Sequence, residues 1–217
     1  MKEPEYGVIR GLVADFHLTG ELPQDAARFL THHQCPKTAA HCAAVAAEAG
    51  RLARSFGTDV SLAEQAGWLH DISAVIPISE RVAVSDAWGI DVLPEEIALP
   101  MILHQKLSVV LARELFGVDD PVVLSAIGCH TTLRANATLL DKVVFLADKI
   151  AWDQPGVPPY RDALLVALTH SLDAGLCVYL RHLWAARATL PVVHPWFVAA
   201  YRQLCLCDAP DTVCKDF

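Results

Sequence analysis

An adjacent His70-Asp71 pair closes an apolar run, with His41 before it and His104, His130 and Asp148 after it. Four imidazoles and two carboxylates are the donors that two divalent ions sharing one carboxylate require. Neighbouring residues on a helix point about 100° apart, so His70 and Asp71 reach one ion only near a helix end. Asp71 has two oxygens and can bridge two ions, whereas His70 binds one. An ionised Asp buried beside Trp68 and Leu69 is costly without a cation to offset it. The chain has ten histidines, so several are bystanders. His17, His32 and His33 sit in polar N-terminal surroundings, His170 and His182 have no carboxylate near them in sequence, and His194 before Pro195 reads as a helix cap.

The elements that must hold these residues read as helices throughout. Pro36 leads into a helix over 37–56 that Gly57 stops. Ser61-Leu-Ala-Glu64 is a capping box for the helix ending at His70-Asp71. Pro77, Gly89, Pro94 and Pro100 break the next stretch into short helices and turns. A helix over 107–116 ends at Gly117, and Asp120-Pro121 opens another that reaches Cys129-His130. Thr138-Leu-Leu-Asp141 caps the helix that bears Asp148. After the turn-rich 153–159 segment a long helix is expected to run to about Arg187, and His194-Pro195 begins a last short one. No run alternates in the manner of a strand. The expected fold is all-α, a helical bundle in a single domain over 1–217: an N-terminal helical extension at 1–34, a metal-binding core at 35–155 and C-terminal helices at 156–217.

The bulk composition narrows the partners. The 217 residues are 53% hydrophobic, yet no uninterrupted apolar run approaches the ~20 residues of a membrane-spanning helix. The N-terminus lacks the basic and apolar regions of a signal peptide, which makes the cytoplasm the expected location. A net charge of −8 argues against gripping nucleic acid through its phosphates but leaves a nucleotide substrate open, since bound metal supplies positive charge locally. Among the seven cysteines, Cys42, Cys129 and Cys177 read as small buried residues. Cys205, Cys207 and Cys214 read as a reduced tail, with a zinc site as the alternative.

The ordered series His41, His70-Asp71, His104, His130 and Asp148 resembles the HD-domain superfamily of metal-dependent phosphohydrolases in its six-ligand form. Pro36-Lys-Thr-Ala-Ala-His41, Leu69-His-Asp-Ile72, Leu103-His104, Ala126-Ile-Gly-Cys-His-Thr-Thr132 with Arg134, Asp141-Lys-Val-Val-Phe-Leu-Ala-Asp148 and Val193-His-Pro195 look like the blocks of the YqeK-type family, over roughly 30–204. The resemblance implies His41, His70, Asp71 and Asp148 around one metal, with His104 and His130 on a second that shares Asp71. It also implies symmetrical hydrolysis of diadenosine tetraphosphate to ADP, iron as the favoured metal and a homodimer, to which Leu12, Val13 and Phe16 would contribute.

Imidazole-rich mixed ligation suits iron, manganese, zinc or nickel better than magnesium or calcium. Two such ions exceed the charge of two carboxylates, which favours a hydroxide nucleophile and a phosphate substrate. Asp71 and Arg134 are the catalytic candidates, Arg134 as a bidentate phosphate clamp. Lys106, Thr131 and Thr132 are further substrate-binding candidates, and Trp152 is either a base platform or, more simply, core packing. Three positions depart from the family pattern: Ala74 where a lysine is common, Gln105 where a glycine is usual, and 149–154 in place of an aromatic-and-arginine stretch. These positions are expected to line the substrate side. A nucleotidase or other phosphomonoesterase, and a metal- or nucleotide-binding sensor without catalysis, are the rival readings.

Overall fold

The computed structural model describes residues 7–206 with the exception of residue 13. Twelve α-helices follow one another, and no strand occurs among the described residues. They are α1 (Gly7–Leu12), α2 (Leu22–His32), α3 (Pro36–Phe56), α4 (Val60–Leu69), α5 (Arg81–Ala87), α6 (Pro94–Ala98), α7 (His104–Glu114), α8 (Pro121–Cys129), α9 (Leu139–Ile150), α10 (Arg161–Leu168), α11 (Leu172–Ala185) and α12 (Pro195–Tyr201). Short 3-10 turns at Ile72–Val75, Ile78–Glu80 and Pro100–Leu103 link the helices between α4 and α7. One continuous apolar cluster runs from Ile9 to Cys205, with Phe29, Leu30, Leu69, Leu107 and Phe145 fully buried within it.

Several boundaries follow local chemistry read from the sequence. Gly57 takes the left-handed φ of 75° that ends α3, and its N–H returns to Ala53 O. Asp120 accepts from Val122 N and Val123 N ahead of Pro121. Thr138 and Asp141 exchange the two bonds of a capping box.

Other boundaries differ from expectation. The cap of α4 is Asp59, whose carboxylate accepts from Leu62 N at 3.0 Å, so the Ser61–Glu64 box does not form. Helix α7 begins at His104, earlier than its apolar pattern suggests. The long C-terminal helix is broken into α10 and α11. Thr169 Oγ1 donates to Val166 O and Ser171 Oγ accepts from Ala174 N, so side chains take over the main-chain groups at the break. The two pieces then fold back on each other, where a Cβ on Gly175 would meet Leu168 Cδ2 at 2.7 Å.

Two features fix the frame of the histidine-bearing helices. A Cβ on Gly67 would stand 2.6 Å from Ala46 Cα, so α3 and α4 are in contact at backbone distance. In the N-terminal piece, Asp25 accepts from Thr19 N, Gly20 N and Thr19 Oγ1, which pins the strap before α2. Phe16 is buried edge-on against Phe29. It is therefore spent inside the chain and is not itself available to a second copy; Val13 lies outside the described residues. No described helix is long and apolar enough to cross a membrane.

Candidate metal centre

Three of the four histidines are mounted by the same local device. His70 follows the last turn of α4, His130 follows the last turn of α8, and His104 follows the Pro100–Leu103 turn. Each ring folds back so that Nδ1 meets the carbonyl three residues earlier: His70 with Gly67 O at 2.7 Å, His130 with Ile127 O at 2.8 Å and His104 with Met101 O at 2.5 Å. Terminal helix carbonyls lack main-chain partners, so an imidazole N–H satisfies one of them. The same bond puts the proton on Nδ1 and leaves Nε2 as a lone pair. Asp71, just past the end of α4 with φ −110° and ψ 19°, turns out of the helical path, which brings its carboxylate round beside His70.

The free nitrogens converge on two carboxylates. His41 Nε2, from α3, lies 3.0 Å from Asp148 Oδ1, and His70 Nε2 lies 3.7 Å from the same oxygen and 3.5 Å from Asp71 Oδ2. On the other side, Asp71 Oδ1 lies 3.3 Å from His104 Nε2 and 3.4 Å from His130 Nε2. His41, His70 and Asp71 form one group of candidate metal ligands and Asp71, His104 and His130 form another. Asp71 belongs to both, one oxygen facing each.

The donors fit divalent cations. Ligands about 2.1 Å from one ion stand about 3 Å apart when at right angles, close to the separations seen here. His104 Nε2 and His130 Nε2 are 2.9 Å apart, two lone pairs that share one hydroxyl, Thr131 Oγ1, at 2.9 and 3.1 Å. One hydroxyl proton cannot serve both. His70 Nε2 is buried with no hydrogen-bond partner, and a buried unmade bond costs about 1–3 kcal/mol that a cation would relieve.

Charge follows the same logic. Burial, helped by the charges of His130 and Arg81, pushes His104 down to about 4 against the pull of Asp71. Burial likewise lowers His70. Both imidazoles are thus neutral and able to ligate at neutral pH. Burial would raise Asp71 and Asp148, but the surrounding histidines and, for Asp148, the Lys149 ammonium hold both far below the usual carboxylate range.

The remaining candidates are placed less uniformly. Thr131 reaches the centre, as above. Thr132 is buried and bonds Gln105, whose amide oxygen also accepts from Thr131 N and Thr132 N. Gln105 has no exposed surface, so it brackets α7 to the segment after α8 and does not line a substrate pocket. Lys106 is turned away. Two residues beyond His104 is about 200° around the helix, and its ammonium binds Glu96 Oε2 and Asp91 O, both at 2.7 Å, and caps the Trp196 ring. Arg134 donates to Ser125 Oγ at 2.6 Å and lies 3.6 Å from Asp141 Oδ2. Ser125 and Asp141 precede His130 and Asp148 by five and seven residues, or about 7 and 10 Å along α8 and α9. The guanidinium therefore points back along these helices, not into the centre.

Trp152 is 42% exposed and meets Tyr160 edge-on, because it falls in the turn after α9 where no helix covers it. The core-packing expectation is corrected accordingly. His194 caps α12 by accepting from Trp196 N, and its Nε2 lies 3.4 Å from the fully buried Glu96. Cys205 Sγ lies 2.8 Å from Cys177 Sγ, on α11; Cys207 and Cys214 lie outside the described residues.

Lys149, read from the sequence only as part of the divergent 149–154 stretch, sits at the centre: its ammonium contacts Asp148 Oδ2 at 2.5 Å and His130 O at 3.3 Å, over the Phe145 and Tyr179 rings. Its position next to Asp148 was the available signal. An open cleft of about 500 Å³ between Asp15, His17, Arg28 and His32 shares no residue with the centre.

This helical frame and its paired donors define a class, and sequence comparison gives the same class. A family model described as HD domain matches residues 38–153. The chain belongs to the HD domain family and is a metal-dependent phosphohydrolase. It is 45% identical over 139 residues to an uncharacterized protein in the pepC 5' region of Lactococcus lactis subsp. cremoris, covering 64% of this chain and 70% of that one. It is 31% identical over 160 residues to a symmetrical bis(5'-nucleosyl)-tetraphosphatase of Halalkalibacterium halodurans, covering 71% and 82%. A crystal structure from Clostridium acetobutylicum, described as a predicted HD superfamily hydrolase involved in NAD metabolism, superposes with a TM-score of 0.77 at 25% identity, over 89% of this chain and all of that one.

Proposed function

We propose that this chain is a dinuclear-metal hydrolase of a nucleotide phosphoanhydride, cleaving a dinucleoside tetraphosphate of the diadenosine type symmetrically. The observation that carries the reading is that two groups of imidazoles meet at the two oxygens of one carboxylate, Asp71. The names of the 31%-identical relatives support the substrate class. His41, His70, Asp71 and Asp148 would hold one ion and His104, His130 and Asp71 the second, with iron favoured over manganese, zinc or nickel by ligand type and resemblance. Bound there, divalent ions lower the pKa of water and offset charge on phosphoryl oxygens.

The chain's own groups do the rest. The three Nδ1 bonds keep each Nε2 aimed inward, and Thr131 Oγ1 supplies a hydroxyl at the same face. The exposed Trp152 ring, one turn beyond Asp148, is available to stack on a base.

A mononucleotide phosphomonoesterase is the second reading. It is favoured by one observation: Arg134 and Lys106 are bonded elsewhere, which leaves fewer cations for a four-phosphate chain. The test is metal analysis of anaerobically purified protein, followed by a panel of dinucleoside polyphosphates, mononucleotides and an aryl phosphate, with Asp71→Ala as control. Two ions per chain and ADP as the sole product from diadenosine tetraphosphate are expected. Activity on mononucleotides alone would select the second reading. Full activity of Asp71→Ala would defeat both.

A further inference from the structure

Arg81, the first residue of α5, is only 7% exposed, and its hydrogen bonds go to carbonyls. Its Nε donates to Ile76 O at 3.2 Å and one Nη donates to Met101 O at 2.9 Å. No described carboxylate lies within ion-pair distance; the acid whose charge it feels is Asp71. A buried guanidinium without a direct counter-ion is expensive to keep, so its placement calls for a reason beyond packing.

Met101 O supplies one. It is also the carbonyl that meets His104 Nδ1 at 2.5 Å. The equivalent carbonyls for His70 and His130 stand in the last turns of regular helices of ten and nine residues, whose ladders up to that turn fix where they point. Met101 stands in a four-residue 3-10 turn, Pro100–Leu103, with poorer internal bonding, and is itself 44% exposed. The one ligand histidine mounted on a weak turn is the one whose acceptor carbonyl has a second, charged donor.

We infer that Arg81 is a positioning residue for the second group of ligands: by holding the Met101 carbonyl it fixes the His104 ring and aims His104 Nε2 at Asp71 and His130. This rests on the dinuclear reading above for its consequence, though not for its geometry. Losing such an outer partner typically costs 10–100-fold in metal affinity.

Two measurements test it on the full chain. Calorimetric titration of metal-free protein with Mn(II) should show two ions in the wild type. In Arg81→Met the second ion should bind 10–100-fold more weakly and the first within about twofold, with Arg81→Lys, which keeps the charge on a single donor nitrogen, recovering part of the loss. Long-range 1H–15N spectra of metal-free protein should show His104 protonated at Nδ1 in the wild type and as a mixture of tautomers in Arg81→Lys, with His70 and His130 unchanged. An unchanged His104 tautomer, equal weakening of both ions, or no weakening of either would overturn the inference. A wild type that binds fewer than two ions would overturn the dinuclear reading instead, and the tautomer measurement would still judge Arg81.

Discussion

The two sides of the metal centre are built on different kinds of support. His41, His70 and Asp148 stand on α3, at the end of α4 and on α9; α3 and α4 meet backbone to backbone at Gly67, and all three helices line the main core. His104 and His130 lie where a 3-10 turn meets α7 and where α8 ends, and they are braced by polar side chains. Gln105 ties α7 to Thr131 and Thr132, Ser73 Oγ bonds His104 O, Ser108 Oγ bonds Ser73 Oγ, and Arg81 holds Met101 O. Close-packed helices tolerate little volume change, whereas hydrogen-bonded braces fail one bond at a time. The first side should therefore fail through packing and the second through individual polar groups.

The largest effect should come from the residue common to both sides. Asp71→Ala should lower phosphate release by about a thousandfold or more and reduce bound metal at both groups, as read by metal analysis; retention of one tightly held ion would show that the sides are independent. Next, Gly67→Ala drives a methyl to 2.6 Å from Ala46 Cα and should cost about 3 kcal/mol in urea unfolding. If it proves neutral, the first side is not set by helix contact.

On the second side, Glu96 links α6, α7 and α12 through Leu93 N, Lys106 and His194. Glu96→Gln should cost about 2 kcal/mol at neutral pH. Burial would raise this carboxyl, but the bonds from His194, Leu93 N and Lys106 hold it below the usual glutamate range. A depressed folded-state pKa stabilises above the unfolded value and loses that contribution as pH falls through the folded one. Unfolding free energy should thus fall as pH drops below about 4.5, and more steeply in the wild type than in Glu96→Gln; parallel pH curves would remove Glu96 from the brace. The smallest effect is expected at Arg134, bonded to Ser125 and partly exposed: Arg134→Ala should change stability by no more than about 1 kcal/mol and leave KM within about twofold. A tenfold rise in KM would restore it as a phosphate clamp.

What was legible in the sequence was main-chain chemistry. Gly57, Asp120 and Thr138 end or begin helices through their own atoms, and the series of donor residues stands out against an apolar background. Side-chain direction was not legible. Lys106 and Arg134 have the charge to meet a phosphate, but helix phase and local acceptors turn them elsewhere. Gln105 reads as a pocket residue only until its burial is known. Trp152 looks like core until the turn that bears it is seen to be uncovered. The roles of Lys149, read only as part of the 149–154 stretch, and of Arg81 escaped notice because their partners are a neighbouring acid and a carbonyl distant in sequence, neither of which forms a recognisable spacing.

The histidine rings folded onto the carbonyls of their own helix ends have a dynamic consequence. A ring held this way cannot leave its ligating pose without giving up a main-chain partner, so its exchange between bound and unbound geometry is tied to fraying of the last helical turn. Terminal turns open more readily than cores. Metal release should then follow the opening rates of the α4 and α8 ends, and amide exchange there should slow when metal is bound. The affinity of the centre and the local stability of the α4 and α8 ends become two readings of one equilibrium.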